Sequence, residues 1–312
     1  MKYEILTDLI LHHHDPSPYG EKIRKLFGIK GLSWKSVQVS MVMPRPDMTA
    51  LTGGYRRIPV LQIGADIFCD TLIIAQVIDK LYPSPPVFCS GLLTNLAIQG
   101  WSDMMFRPGA ALSLYENAEF LPAEVVSDRA DYFTFLDFEN FDKDSPHFRS
   151  QFVTFANQLN YQLADGRPFL LGEKVEWADV NAYMNIWMAR GNIPTSEDFM
   201  KKFQHISNWY DRIDNLGCGK RTDIMSSESL DIAIQAQNSG NIYSLGDHID
   251  DLSGIKPGDH VSVQPDDYGI IPVAGTLEIS NDDEIIISRE QDGIGRINLH
   301  FPRKGFRIEV GN

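Results

Sequence analysis

Apolar side chains recur along residues 1–85 with two different periods. A strand signal ends near His14, and from Pro18 to about Phe27 the residues Ile23, Leu26 and Phe27 share one side of a helix. The stretch "LSWKSVQVS" (32–40) alternates apolar and polar positions, as a half-buried strand does. "MVMPRPDMTALTGGYRR" (41–57) reads as a long turn-rich connection, and "IPVLQIGADIFCD" (58–70) as two short strands around Gly64-Ala65-Asp66. "DTLIIAQVIDKLYP" (70–83) is a helix stopped by Pro83. The predicted order is β-α-β-loop-β-β-α.

The pattern then changes. Across residues 90–216 long helical periodicities dominate, over Leu92–Met105, Phe148–Leu163, Val180–Arg190 and Glu197–Asn215, which predicts an all-helical domain. Residues 217–241 read as a linker, "CGKRTDIMSSES", with one short helix in "LDIAIQAQ". From 242 to 312 five short strand signals follow, "DHVSVQP", "VAGTLEIS", "DEIIISRE", "RINLHFP" and "FRIEV". Turns at 257–259, 266–269 and 292–293 separate them, so a small antiparallel barrel is expected. Its opening, "GIKPGDHVSVQPDDYG", resembles SH3-like barrels. "LHFPRKGFRI" (299–308) holds its basic cluster, and the apolar residues of this segment are expected to dock on the helical domain; the barrel is expected to serve a packing or dimer-stabilising role.

Composition narrows the function classes. No run approaches the roughly eighteen apolar residues of a membrane span, and the N-terminus, "MKYEILTDLILHHHD", lacks the features of a secretory signal. Three widely spaced cysteines without a C-x-x-C argue against disulfides and a cysteine-based zinc site, so a cytoplasmic protein is expected. The net charge of −14 is uneven: residues 1–85 carry +2, whereas 86–216 and 217–312 carry −8 each. Only the N-terminal third mildly attracts a small anion, and nucleic acid is not an expected partner.

Candidate chemistry concentrates in "LILHHHDPSPYGEKIRKLFG" (9–28). Ser17 precedes Pro18, an apt first helical residue, and so reads as the N-cap of a helix whose free N–H groups favour an anion. His12, His14 and Asp15 could ligate a metal, but no distant ligand completes the set and no metal is expected. Cys69, at a strand end beside Asp70, reads as a buried, inert thiol.

These motifs, in this order, resemble the cytosolic glutathione transferases over roughly residues 5–215. "SPYGEKIR" (17–24) is similar to the family's catalytic segment, "RRIPVLQIGADIFCDT" (56–71) to its second signature, and "FLLGEKVEWADVNAY" (169–183) to the stretch closing its helical core. The resemblance implies a thioredoxin-like α/β domain over 1–85, an all-α domain over 90–216 and a homodimer. It also implies glutathione as co-substrate, held as a thiolate by the Ser17 hydroxyl for attack on a small-molecule electrophile. Lowering a thiol from ~8.5 by about two units needs only ~2.7 kcal/mol.

Further roles follow from the resemblance. Pro59 would be a cis-proline presenting the Val60 backbone to the ligand. Asp70 would hold the γ-glutamyl amine, and Thr71 with helix N–H groups its carboxylate. Arg57, or Arg56, would face the glycyl carboxylate. Tyr19, His14, Trp101, Met105 and Tyr183 are candidates for the electrophile pocket, although Met and aromatic side chains at such spacing also build plain core. Serine in place of cysteine at 17 favours conjugation, isomerisation or addition over disulfide exchange. Glu176 stands where the family usually has a Ser or Thr cap, three residues before Asp179. A non-catalytic transferase-fold protein that binds partners through its C-terminal barrel is the alternative.

Overall fold

The computed structural model describes residues 8–236, 242–250 and 253–311. Residues 1–7 of the segment read for a secretory signal lie outside this range, as does the end of the expected linker. The chain forms two compact units. One contains Leu32–Pro83 with the described residues up to 23 and from 220 on; the other contains Arg24–Gly31 and Ser84–Gly219.

The first unit carries strands β1 (Leu9–His13), β2 (Ser33–Gln38), β3 (Val60–Ile63) and β4 (Asp66–Cys69). Helix α1 (Pro18–Lys30) begins here, followed in the chain by α2 (Pro46–Thr52) and α3 (Thr71–Leu81). β1 pairs parallel with β2 and antiparallel with β3, and β3 pairs antiparallel with β4, the thioredoxin-like arrangement the family resemblance implies. Helix α2 lies within the expected turn-rich connection. Pro46 at its start and Gly53 in the left-handed region (φ 66°) at its end are helix boundary signals.

The residues after 219 supply both flanks of this sheet. β5 (Lys220–Asp223) pairs parallel with β2. It falls in the expected linker because all four residues are polar and exposed, as suits a charged edge strand. After α10 (Ser226–Ala236) come β6 (His260–Pro265), β7 (Val273–Ser280), β8 (Glu284–Gln291), β9 (Gly295–Pro302) and β10 (Phe306–Val310). These five are antiparallel, as expected, but they do not stand apart as a barrel. β9 pairs parallel with β4, giving one ten-stranded sheet in the order β10-β6-β7-β8-β9-β4-β3-β1-β2-β5.

One core follows from this continuity. Met48, Leu51, Tyr55, Val60 and Ile67 pack with Val261, Val273, Ile287, Leu299, Phe301 and Phe306. At roughly 1.5–3 kcal/mol per buried apolar side chain, neither set would tolerate exposure. Leu299, Phe301 and Phe306, the apolar side chains expected to dock on the helical domain, are buried in this core instead, while Lys304 and Arg307 are exposed.

The second unit holds α4 (Leu92–Glu116), α5 (Ala123–Tyr132), α6 (Phe141–Gln162), α7 (Trp177–Asn192), α8 (Ser196–Met200) and α9 (Gln204–Asp214). The start of α7 is well fastened despite Glu176. Asn95 Oδ1 accepts the Ala178 N–H at 2.8 Å and the Val87 carbonyl accepts that of Trp177 at 2.8 Å. The Glu176 carboxylate instead accepts from Ser90 and Asn95. Asp179, fully buried, accepts from the Glu176 and Leu170 N–H groups and from Trp209 Nε1 at 2.8–3.0 Å. Burial still pushes its carboxyl up to about 6, against the pull of those donors. No described helix is long and apolar enough to cross a membrane.

Candidate functional site

Strand register assembles the N-terminal candidates. β1 and β4 both run antiparallel to β3, so they end at the same edge of the sheet, where β3 begins. His12, Val60 and Cys69 lie side by side across the three strands. Beyond them start α1 and α3. With strands about 4.8 Å apart, the distance from β1 to β4 is about 10 Å, the reach of three extended residues.

At the first helix Ser17 is the N-cap. Its N–H donates to the His14 carbonyl at 2.8 Å, and its Oγ accepts the Gly20 N–H at 3.1 Å. Ser17 is half-buried, and among the described residues its hydroxyl hydrogen has no acceptor. A hydroxyl so placed can cap the helix through its oxygen and still donate outward.

The Ile58-Pro59 bond is cis, and Val60 opens β3 directly after it. Asp70 has φ 106°, the only positive value outside glycine among the described residues. Such a conformation costs about 1–3 kcal/mol. Its carboxylate accepts the Leu72 N–H at 2.8 Å and caps α3. Thr71, buried, is the first helical residue, and its side chain makes no hydrogen bond within the described chain. Cys69 is fully buried, and burial together with the Asp70 charge raises its thiol well above the usual range, as expected of an inert cysteine.

Arg57 is held from the C-terminal extension. Its guanidinium donates to the Asp267 carboxylate and the Tyr268 carbonyl, and lies 4.3 Å from the centre of the Tyr268 ring. The preceding carbonyl, that of Arg56, accepts from the buried Arg45 at 2.8 Å.

The histidines diverge. His12 is buried and hydrogen-bonded to Gln62 at 2.9 Å; burial lowers its pKa to about 4, the Gln62 bond opposing this only in part. His13 points to the other side of the strand, toward Ser36 at 3.0 Å. Asp15 pairs with Arg221 of β5 at 2.8 Å. Among the described residues no three His, Cys, Asp or Glu side chains are grouped to hold a metal.

Of the electrophile-pocket candidates, His14 and Tyr19 flank Ser17 in the chain and are half-buried. Lys22, one turn on, holds its ammonium 4.4 Å from the Tyr19 ring centre although the side chain is fully buried. Sequence reading passed over this residue, because a lysine on a helix is ordinarily solvated. Met105 and Tyr183 are core instead. Both are fully buried in the helical unit, where Tyr183 stacks on Tyr210 and donates to Asp214 at 2.5 Å. Trp101 packs edge-on against Phe155, with its Nε1 donating to Gln158.

Comparison with known proteins agrees with this fold. The glutathione S-transferase N-terminal domain matches residues 11–86 and the C-terminal domain residues 124–212. A solved GST-like protein from Pseudomonas syringae is 32% identical, with a TM-score of 0.80, covering 98% of this chain and 100% of that one. The chain belongs to the glutathione transferase family. A transferase from Rhodospirillum rubrum is 18% identical at TM-score 0.51, over 65% of this chain and 86% of that one. One from Methylobacterium radiotolerans, in complex with glutathione sulfonate, is 17% identical at 0.51, over 70% of this chain and 98% of that one. These last two share the fold. No curated protein matches the chain.

Proposed function

We propose that this protein is a glutathione-dependent transferase, or a related lyase or isomerase, that uses the Ser17 hydroxyl to stabilise a glutathione thiolate. The observation that carries this reading is the common sheet edge of Ser17, Val60 and Asp70-Thr71, within the reach of one tripeptide. Ser17 donates to the sulfur at the positive end of α1. The head of β3 at the cis Ile58-Pro59 bond, where Val60 sits between β1 and β4, meets the cysteinyl part. Asp70 meets the γ-glutamyl amine, and Thr71 with the first N–H groups of α3 meets its carboxylate.

Chemistry then follows from the thiolate. The thiol proton leaves to solvent, and the sulfur lone pair forms a C–S bond to an electrophilic carbon of a small molecule. The displaced electron pair departs with a leaving group or, in an addition, is protonated at the neighbouring carbon. His14 and Tyr19, half-buried on either side of Ser17 in the chain, are the residues expected to meet the incoming electrophile. A second copy of the chain is the expected partner: Leu93, Ala97, Gly100 and Met104 form an exposed, mostly apolar stripe along α4. The protein works in the cytoplasm.

The test is calorimetric titration with glutathione, then thiolate absorbance against pH for wild type and Ser17→Ala. Saturable binding, with a thiol pKa lowered in wild type and restored toward ~8.5 in Ser17→Ala, supports the reading. No binding at millimolar glutathione overturns it and favours the non-catalytic alternative.

A further inference from the structure

We infer that Asp267 acts as an internal substitute for the ligand's terminal carboxylate, so that the site selects a γ-glutamyl thiol without reading a glycine. The inference rests on the thiol-binding reading above and concerns the same sheet edge. Arg57 stands three residues before Val60, where the far end of an extended peptide laid along that edge arrives. It is the cation suited to a carboxylate there. The turn between β6 and β7 already supplies one. Asp267 pairs with the guanidinium, the Tyr268 carbonyl accepts from it and the Tyr268 ring lies against its face. The Arg57 side chain retains 12% of its exposure, whereas Asp267 retains 44%. The cation is thus enclosed by an exposed turn, and its charge is matched before any ligand arrives.

A second carboxylate at Arg57 must displace Asp267 or sit beside a like charge. Either costs what the new ion pair would gain, so a C-terminal glycine adds little to binding. A thiol ligand lacking that residue loses little. Specificity then resides in the γ-glutamyl and cysteinyl parts, held by Asp70-Thr71, Val60 and Ser17. Asp267 is a specificity-determining residue that lies about 210 positions from the cation it controls.

The experiment compares glutathione with γ-glutamylcysteine by calorimetry on the full chain, for wild type, Asp267→Asn and the double variant Arg57→Gln/Asp267→Asn. Wild type should bind the two thiols within about threefold of each other. Asp267→Asn, which keeps the turn's shape and removes its charge, should tighten glutathione about tenfold and leave γ-glutamylcysteine unchanged. Adding Arg57→Gln should abolish that gain. A wild-type preference for glutathione above tenfold, or an unchanged ratio in Asp267→Asn, overturns the inference while leaving the transferase reading intact. Failure of both thiols to bind to any of the three proteins overturns both.

Discussion

His300 Nε2 lies 2.8 Å from Asp66 Oδ1, with both side chains buried, and thereby ties β9 to the end strand of the thioredoxin-like sheet. The imidazole stacks on Phe68 at 4.2 Å, Asn298 donates to the same Asp66 oxygen at 3.2 Å, and Glu284 of β8 faces the other ring nitrogen at 3.6 Å. Burial alone would lower the His300 pKa, but the two carboxylates outweigh it and leave it raised. Burial likewise pushes Glu284 up, and His300 with Ser244 pulls it below its usual value.

These opposite shifts define a pH window. A raised histidine contributes stability that is complete below pH 6.5, its ordinary pKa, and is lost as pH rises through the folded value. A depressed glutamate contributes above pH 4.5 and loses its effect as pH falls through its folded value. The cluster should therefore stabilise most between these limits. His300→Gln leaves buried carboxylates uncompensated and should cost about 3–5 kcal/mol at pH 5.5. Urea unfolding at pH 5.5 and 8.5 checks this: the gap from wild type should narrow at the higher pH.

None of that cluster was legible as such in the sequence. Asp66 reads as part of a turn, and Glu284 and His300 occupy positions in strands whose second face is usually solvated. They are buried because β9 adds to β4, a parallel pairing between segments more than 200 residues apart that leaves no local pattern. The Arg57–Asp267 pair escaped notice for the same reason, Asp267 lying on a distant turn. What was legible had local causes: the cap at Ser17 beside Pro18, the two short strands after Pro59, and the helix from Thr71. β5 escaped notice because an edge strand of four polar residues lacks the alternation that marks a half-buried one.

His12 should make the first unit acid-sensitive. Its folded pKa of about 4 lies below the ordinary 6.5, so its contribution is present above pH 6.5 and lost as pH falls toward 4. The shift corresponds to about 3 kcal/mol. Replacing the ring by His12→Gln should flatten the acid limb of stability against pH. In NMR titration the wild-type imidazole should remain neutral at pH 5.5.

Asp179 works in the opposite sense within the helical unit. Its carboxyl, raised to about 6 from 3.8, contributes stability present below pH 3.8 and lost as pH rises through 6. Three donors nevertheless converge on it. Asp179→Ala leaves the Leu170, Glu176 and Trp209 N–H groups buried without an acceptor and should cost about 3 kcal/mol or more. Trp209 fluorescence during denaturant unfolding reads this directly, with a lower midpoint and an unchanged slope.

The C-terminal strands should be required for the N-terminal ones to stay soluble. Asp66, Ile67 and Phe68 pair with Asn298, Leu299 and His300, and Ile67, Phe68 and Cys69 are fully buried. A chain ending at residue 219 would turn β4 into an open edge, with Ile67 and Phe68 in water and Asp66 without its imidazole. Loss of the extension would also uncover Met48, Leu51 and Tyr55 on and after α2, which pack against Phe301 and Phe306. An exposed apolar edge strand invites pairing with another chain. The truncated protein should therefore aggregate on expression or elute as high-mass species in size-exclusion chromatography. Adding the separate 220–312 segment should not rescue it, because that segment's own core is incomplete without α2, β3 and β4. A monodisperse, folded 1–219 protein would show instead that the four N-terminal strands suffice, and that the sheet's continuity is incidental to their stability.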